Sequence, residues 1–492
     1  MSALGPTPPG FARARLLLPI AEGKRGERVE DGYVLWTGGT IVEVGAYTDE
    51  VGARLLAAHG AIEVVGFGLA TTLTGLVKHD AVIVPGFVKA HGHDHESPII
   101  GMVKDVPLTA WLDGAVNIFT RFLEEQQDEL REDLGEQPHY LTYLKAKADD
   151  LYYGITSAMT HHCNFSKYRV DELGRAAKTA GTRVLIAVGS QDRNYYEKVL
   201  DQPISLATER LDRGAATWAG DARVSVLPGP DQLFSNGPEM LKAEKAWARE
   251  HGTLFHCHSS EELGTSLWFQ KEYGKTEVEY ALEIGILDEG TVLAHQVQTT
   301  PNDLAILRDT GTRIVHNPLA NTILGSGMPP IMEMLEAGIP IAIATDGSGS
   351  ADSQNILAAA RLASQYQKAL HKRAQCLPAQ QVLEMITIDA ANMLRIPAGS
   401  LEPGKVADLV IVDLRRPNLV PTRASNVVEN LIWASDGSEA RFVVADGKVV
   451  KDDYRLTTID VDDVGAKILR LAERLDRYKA ESEELRGTGA HR

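Results

Sequence analysis

Cysteine is scarce in this 492-residue chain: Cys163, Cys257 and Cys376 form an odd, widely spaced set with no C-x-x-C pair. That excludes a disulfide framework, and each thiol reads as a small buried apolar group. Positive charge is short as well. Lysine and arginine number 50 against 67 aspartates and glutamates, a formal charge of -17, and no basic run occurs. Nucleic acid and anionic membrane surfaces both require a basic footprint, so neither is an expected partner. Long apolar runs are also lacking. "AVIVPGFV" and "ADLVIVDL" have strand length, far below the roughly 18 residues that span a bilayer. In "MSALGPTPPGFARARLLLPIAEGKR" prolines stand where a secretion signal would carry its apolar segment. The expectation is a cytoplasmic protein that acts on a small molecule.

The 44% hydrophobic content is enough for a large α/β core plus a smaller unit. Residues 12–83 alternate short apolar runs with turn residues, and the same texture returns from 398 ("GSLEPGKVADLVIVDL", "ARFVVADGKVV"). Residues 1–83 and 398–460 are therefore expected to build a small β-sandwich from both chain ends. Between them, eight runs alternate with helical patterns: "AVIVPGFVKAHGH", "GITSAMTHH", "TRVLIAVGS", "ARVSVLPGP", "TLFHCHSSE", "TVLAHQ", "TRIVHNP" and "IPIAIATDGSGS". Eight βα units over 84–397 predict a closed (β/α)8 barrel of the TIM type, whose active groups sit at the C-terminal strand ends. The tail, 461–492, reads as a charged amphipathic helix.

Each run ends in polar residues. His91 and His93 are two apart, so a strand aims both the same way. His258 closes the fifth run and Asp346 the eighth, completing a three-nitrogen, one-oxygen set suited to a divalent metal. Glu261, three residues past His258, is placed as a proton carrier, and His295 in "LAHQ" as an electrophilic partner for developing negative charge.

The chain resembles the amidohydrolase superfamily, in its aminohydrolase branch of guanine, cytosine and S-adenosylhomocysteine deaminases and triazine hydrolases. The resemblance runs through "PGFVKAHGH", "DVPLTAWL", "HCHSSE", "LAHQ", "HNPLANTILGSG", "ATDGSGS" and "GSLEPGKVADLVIVD", in family order along nearly the whole chain. It implies hydrolytic deamination of an aminated N-heterocycle of purine, pterin, pyrimidine or triazine type, with release of ammonia after attack by a metal-activated water. His91, His93, His258 and Asp346 would hold the metal, Asp346 would also take the water's proton, and Glu261 and His295 would complete the chemistry. Relatives with two metals bridge them by a carboxylated lysine on the fourth strand; "ARVSVLPG" has none, so one ion is expected, zinc first and iron second. The expected assembly is a homo-oligomer, a dimer. A hydrolase displacing chloride, an alkylamine or an amide nitrogen is the alternative, and an inactive binding homologue a distant third.

Substrate contacts are expected from Trp111, His161, His316 and Glu96. In guanine deaminase relatives a glutamine at the place of Glu96 reads the heterocycle edge; a carboxylate would instead favour edges rich in N–H donors. Nucleoside-type relatives carry a carboxylate two residues before the tryptophan, where this chain has Thr109, which favours a free base. His256 reads as structural, His162 equally as a substrate contact or a satisfied structural group, and His95 as shaping the turn that aims Glu96 inward. "YGKT" at 273–276 imitates a P-loop end, but Phe269 stands at its first glycine position. The H-x-E and P-C-x-x-C signatures of the other zinc deaminase class are absent.

Overall fold

The computed structural model describes residues 8–489 except 74, 76 and 77, so the outermost residues of the ranges read from the sequence lie outside the described residues. Two compact units share the chain. Met1–Ala90, Asp149–Ala158 and Asn355–Thr458 form one, and His91–Ala148, Met159–Gln354 and Ile459–Arg492 the other.

The run "AVIVP" organises the first unit. It lies in the strand His79–Pro85, buried on both faces, and therefore reads as unbroken apolar sequence rather than as alternation. On one side Gly10–Leu17 pairs with it in parallel, Leu17 opposite Ile83. On the other, Leu409–Asp413 pairs antiparallel, Ile411 opposite Ile83. Strands from both ends of the chain thus enter one ten-stranded sheet. Alternation along Gly10–Leu17 sends Phe11 to a cluster with Tyr33, Leu35 and Ile62, and Ala12 and Ala14 to another with Ile83, Ile411 and Phe442. Where the sequence suggested a sandwich, the strands are hydrogen-bonded into this one sheet. The helices Ile356–His371, Ala379–Met385 and Ile388–Leu394 group with it, although the sequence placed them in the catalytic range 84–397. Ile356–His371 and Ala379–Met385 pack against each other and against Val427–Trp433, which draws residues 355–397 to the C-terminal segment.

Each of the eight runs contains a parallel strand. β1 (Phe87–Lys89) and β2 (Ile155–His162) start within the first unit, with Phe87 opposite Ile155 and Lys89 opposite Ala158. In the second unit β3 (Arg183–Ser190) pairs with β4 (Val224–Pro230), Val226 opposite Ile186. β5 (Phe255–Ser259), β6 (Thr291–His295), β7 (Arg313–His316) and β8 (Ile341–Ile343) form a second parallel set in that order. A single parallel bridge, Gln232 to His258, joins the end of β4 to that of β5. The intervening helices carry ordinary start and stop signals: Pro301–Thr310 opens on a Thr300/Asp303 capping box with proline in its first turn and ends at Gly311, φ 68°. The chain is thus an α/β protein with parallel sheets. The helix Val461–Gly489 buries Leu471 and Leu475 in a cluster with Phe119, Phe122 and Leu130. Among the described residues no helix is long and apolar enough to cross a membrane.

Candidate active site

Beyond Lys89 the chain bends at Ala90 and His91 but stays beside the next strand: the Gly92 carbonyl accepts the His161 N–H at 2.7 Å, and His93 is extended at φ -132°, ψ 90°. His91 and His93 therefore project together, before a single 3-10 turn, Asp94–Glu96. Asp346, just past β8, meets both. Its Oδ1 lies 3.2 Å from His91 Nε2 and 3.3 Å from His93 Nε2. His93 Nε2 lies 3.1 Å from His258 Nε2. Donors about 2.0–2.1 Å from one tetrahedral ion stand roughly 3.3 Å apart, so these four side chains are at ligand spacing.

Their tautomers fit too. A carbonyl oxygen only accepts, so His93 donates from Nδ1 to His161 O (3.1 Å) and His258 from Nδ1 to Asp231 O (2.6 Å). His91 is held one step further away. His256 donates from Nδ1 to Val292 O (3.0 Å), which leaves its Nε2 to accept the Nδ1–H of His91 at 2.9 Å. His91 and His93 thereby turn an unprotonated Nε2 toward Asp346, and His258 turns one toward His93. Burial depresses the pKa values of His93, His258 and His256 and keeps them neutral, the form a metal needs.

The chain leaves β5 through Ser260 in a left-handed conformation, φ 52°, with its N–H donated to Glu277 Oε2 at 2.8 Å. That turn aims Glu261 back at the site. Glu261 Oε2 lies 3.5 Å from His295 Nε2, which in turn lies 3.9 Å from Asp346 Oδ2. Burial, then the Asp346 charge, holds the Glu261 carboxyl well above the usual carboxylate range, so it carries a proton. His295 has its Nδ1 2.8 Å from Asn321 Oδ1, and burial keeps it neutral. His295 (φ 76°) and Asp346 (φ 70°) both adopt the left-handed backbone, which is uncommon for non-glycine residues.

Over these groups lies a chamber of about 40 Å³, which shares the lining residues Leu108, Leu112, Tyr195 and Gln232 with a second cavity of about 530 Å³. Four carboxylates line the chamber, Glu96, Asp231, Glu261 and Asp346, and no lysine or arginine among the described residues does. Glu96 faces inward, fixed at Oε2 by the Ser350 N–H (2.9 Å) and hydroxyl (3.0 Å). Glycine is required at 347 because a Cβ there would run into that carboxylate. Trp111 lines the chamber. His161 and His316, expected as substrate contacts, line neither cavity. His161 donates from Nε2 to Gly229 O at 2.7 Å while its carbonyl orients His93, and His316 is fully buried.

Residues 82–450 match the amidohydrolase family. The chain belongs to that family. This amidohydrolase is 31% identical over 418 residues to the 5-methylthioadenosine/S-adenosylhomocysteine deaminase of Caldanaerobacter subterraneus subsp. tengcongensis, covering 81% of this chain and 88% of that protein. Among solved structures it shares the fold of a zinc-bound adenosine deaminase from Xanthomonas campestris (TM-score 0.80, 22% identity, 95% and 98% of the two chains). It also shares that of a zinc-bound atrazine chlorohydrolase from Arthrobacter aurescens (TM-score 0.81, 23% identity, 94% and 99%). The family and its deaminase-named relatives make the chain a hydrolytic enzyme acting on C–N bonds, with a divalent metal as its cofactor.

Among the chamber residues of this amidohydrolase that the sequence reading did not place there are Tyr195, Asp231, Gln232 and Ser350, and Cys163, which was read only as a small buried group. Asp231 follows "VLPGP" and had the same signal as Asp346, a carboxylate closing an apolar run. Tyr195 comes from a loop and left no periodic signal. His256, read as structural from the sequence, stands between Val292 O and His91 Nδ1 and so bears on the tautomer of His91. His256→Phe should lower zinc affinity by about 10- to 100-fold, the usual effect of removing a partner of a ligating histidine. Competition with a chromophoric chelator measures it; unchanged affinity would show that His91 holds its tautomer unaided.

Proposed function

We propose that the enzyme deaminates an aminated N-heterocycle, with His91, His93, His258 and Asp346 holding one zinc ion at the C-terminal mouth of a (β/α)8 barrel. The observation that carries this is the approach of His295 Nε2 to Glu261 on one side and Asp346 on the other, beside three histidines in ligand tautomers. When bound, such an ion supplies a Lewis acid and an acidified water. Asp346 Oδ2 faces the chamber to receive a proton. Glu261, protonated at rest, donates to the ring nitrogen beside the carbon under attack. His295, with its Nδ1–H on Asn321, offers a bare Nε2 that takes up a proton and then opposes the negative oxygen of the adduct. A proton passed back to the amine lets ammonia leave.

The curated relatives are named for adenosine derivatives, which brings adenine nucleosides to the front of the substrate class. Thr109 speaks less against them than its sequence suggested. Its hydroxyl donates to Glu262 Oε2 at 3.0 Å, so a carboxylate stands at that wall of the larger cavity, supplied by another segment. A panel of adenine nucleosides, free purines, pterins, pyrimidines and triazines, assayed for ammonia, tests the proposal. Release from at least one adenine nucleoside is expected. Chloride or alkylamine release with no ammonia would favour the alternative leaving groups, and inactivity of the zinc-loaded protein on every member would overturn the proposal.

A further inference from the structure

His91, His93, His256, His258 and His295 each have Nδ1 committed to a partner. His95 is different. It is buried, it lines the chamber, and neither ring nitrogen has a hydrogen-bond partner among the described residues. Its neighbour Glu96, the residue that the sequence offered as reader of the ring, is tied to Ser350.

We infer that His95 is the substrate-contacting, specificity-determining residue of this wall, and that its free tautomer lets it face either a donor or an acceptor on the heterocycle edge. Three points support this. A buried N–H left unpaired is destabilising, so an orphaned side chain persists at a site where something completes it. Beside it the chamber offers apolar faces, Leu108, Trp111 and Leu324, to the flat of a ring, with carboxyl groups, Tyr195 and Gln232 also in its lining. With neither nitrogen pinned, the neutral imidazole can carry its proton on Nδ1 or Nε2 at little cost, whereas Glu96 is held in one pose. The ligand class is a planar aminated heterocycle whose second edge substituent is tolerated as either amino or oxo. This rests on the deaminase reading for the identity of the ring.

The test uses the zinc-loaded enzyme, His95→Leu and His95→Gln, with 2,6-diaminopurine and isoguanine as probes. These differ by a donor or an acceptor at ring position 2, a difference that survives loss of the 6-amino group. Binding is read from ligand-induced melting shifts, which need no turnover. Wild type should bind both within about tenfold of each other. His95→Leu should weaken both by roughly tenfold, the size of one buried hydrogen bond, while melting higher without ligand because an unsatisfied polar group has gone. His95→Gln, whose amide can also turn either way, should retain both. Zinc content should be unchanged throughout, although His95 lies within 4.8 Å of His93 and Glu96 as a possible ligand. Equal binding by His95→Leu and wild type would mean that the nitrogens meet only buried water, and would overturn the inference. So would zinc loss in His95→Leu, a wild-type preference beyond a hundredfold, or no shift with either probe. Probe binding without ammonia release from any substrate would instead defeat the deaminase reading and leave His95 standing.

Discussion

Asp346→Asn should lose roughly 10³-fold or more in turnover and retain little metal, with melting close to that of the wild-type apoprotein. The carboxylate combines two roles: Oδ1 stands at ligand distance from both His91 and His93, and Oδ2 is open to receive a proton. Asparagine keeps the shape and removes the charge at the ion and the proton acceptor together. It also tolerates the left-handed backbone at this position, φ 70°, better than most residues, so the fold should survive. Elemental analysis and an ammonia assay read the two losses separately. Wild-type turnover in this variant would remove Asp346 from the mechanism, and two tightly held ions per wild-type chain would refute the single-ion assignment.

Glu261→Gln should behave in the opposite way toward metal. Its carboxyl lies beside His295, outside the ligand set, so zinc should stay while turnover falls about 10²-fold or more through loss of the proton donor. The pH dependence follows from the direction of its shift. The folded pKa lies well above the ordinary carboxyl range and the protonated form is the active one, so wild-type kcat/KM should hold at low and neutral pH and decline as pH rises through that raised value. Glutamine cannot titrate, and the variant should lack this alkaline limb. A zinc-free variant would instead make Glu261 a ligand, and near-normal turnover would make it a bystander.

The residues that converge at the site were legible because their signal is doubly determined: a polar side chain of ligand type at the end of an apolar, strand-length run. His91, His93, His258, His295 and Asp346 all carry that mark, and all converge within a few ångströms. His161 and His316 carry it too, yet line neither cavity. A strand-end position fixes which end of the sheet a residue occupies but not what its side chain will meet there, and His161 met the Gly229 carbonyl. The roles of His256 and His95 were beyond reach for a related reason. They depend on which nitrogen has a partner, and residues distant in sequence, Val292 for one and none among the described residues for the other, decide that. The extent of the β-rich unit was underestimated because helices 356–371 and 379–385 look like barrel helices in pattern, and only their contacts assign them elsewhere.

The ten-stranded sheet has a consequence for biosynthesis. His79–Pro85, apolar through most of its length, has Leu409–Asp413 as the neighbour on one of its edges, and that strand is translated long after it. At ribosomal rates of about 5–20 residues per second, an edge of Ala81, Val82, Ile83 and Val84 waits on the order of tens of seconds for its cover. Nascent chains of this protein should therefore be unusually dependent on chaperones that shield strand edges, and truncation before residue 409 should send the product into aggregates rather than yield a smaller folded enzyme.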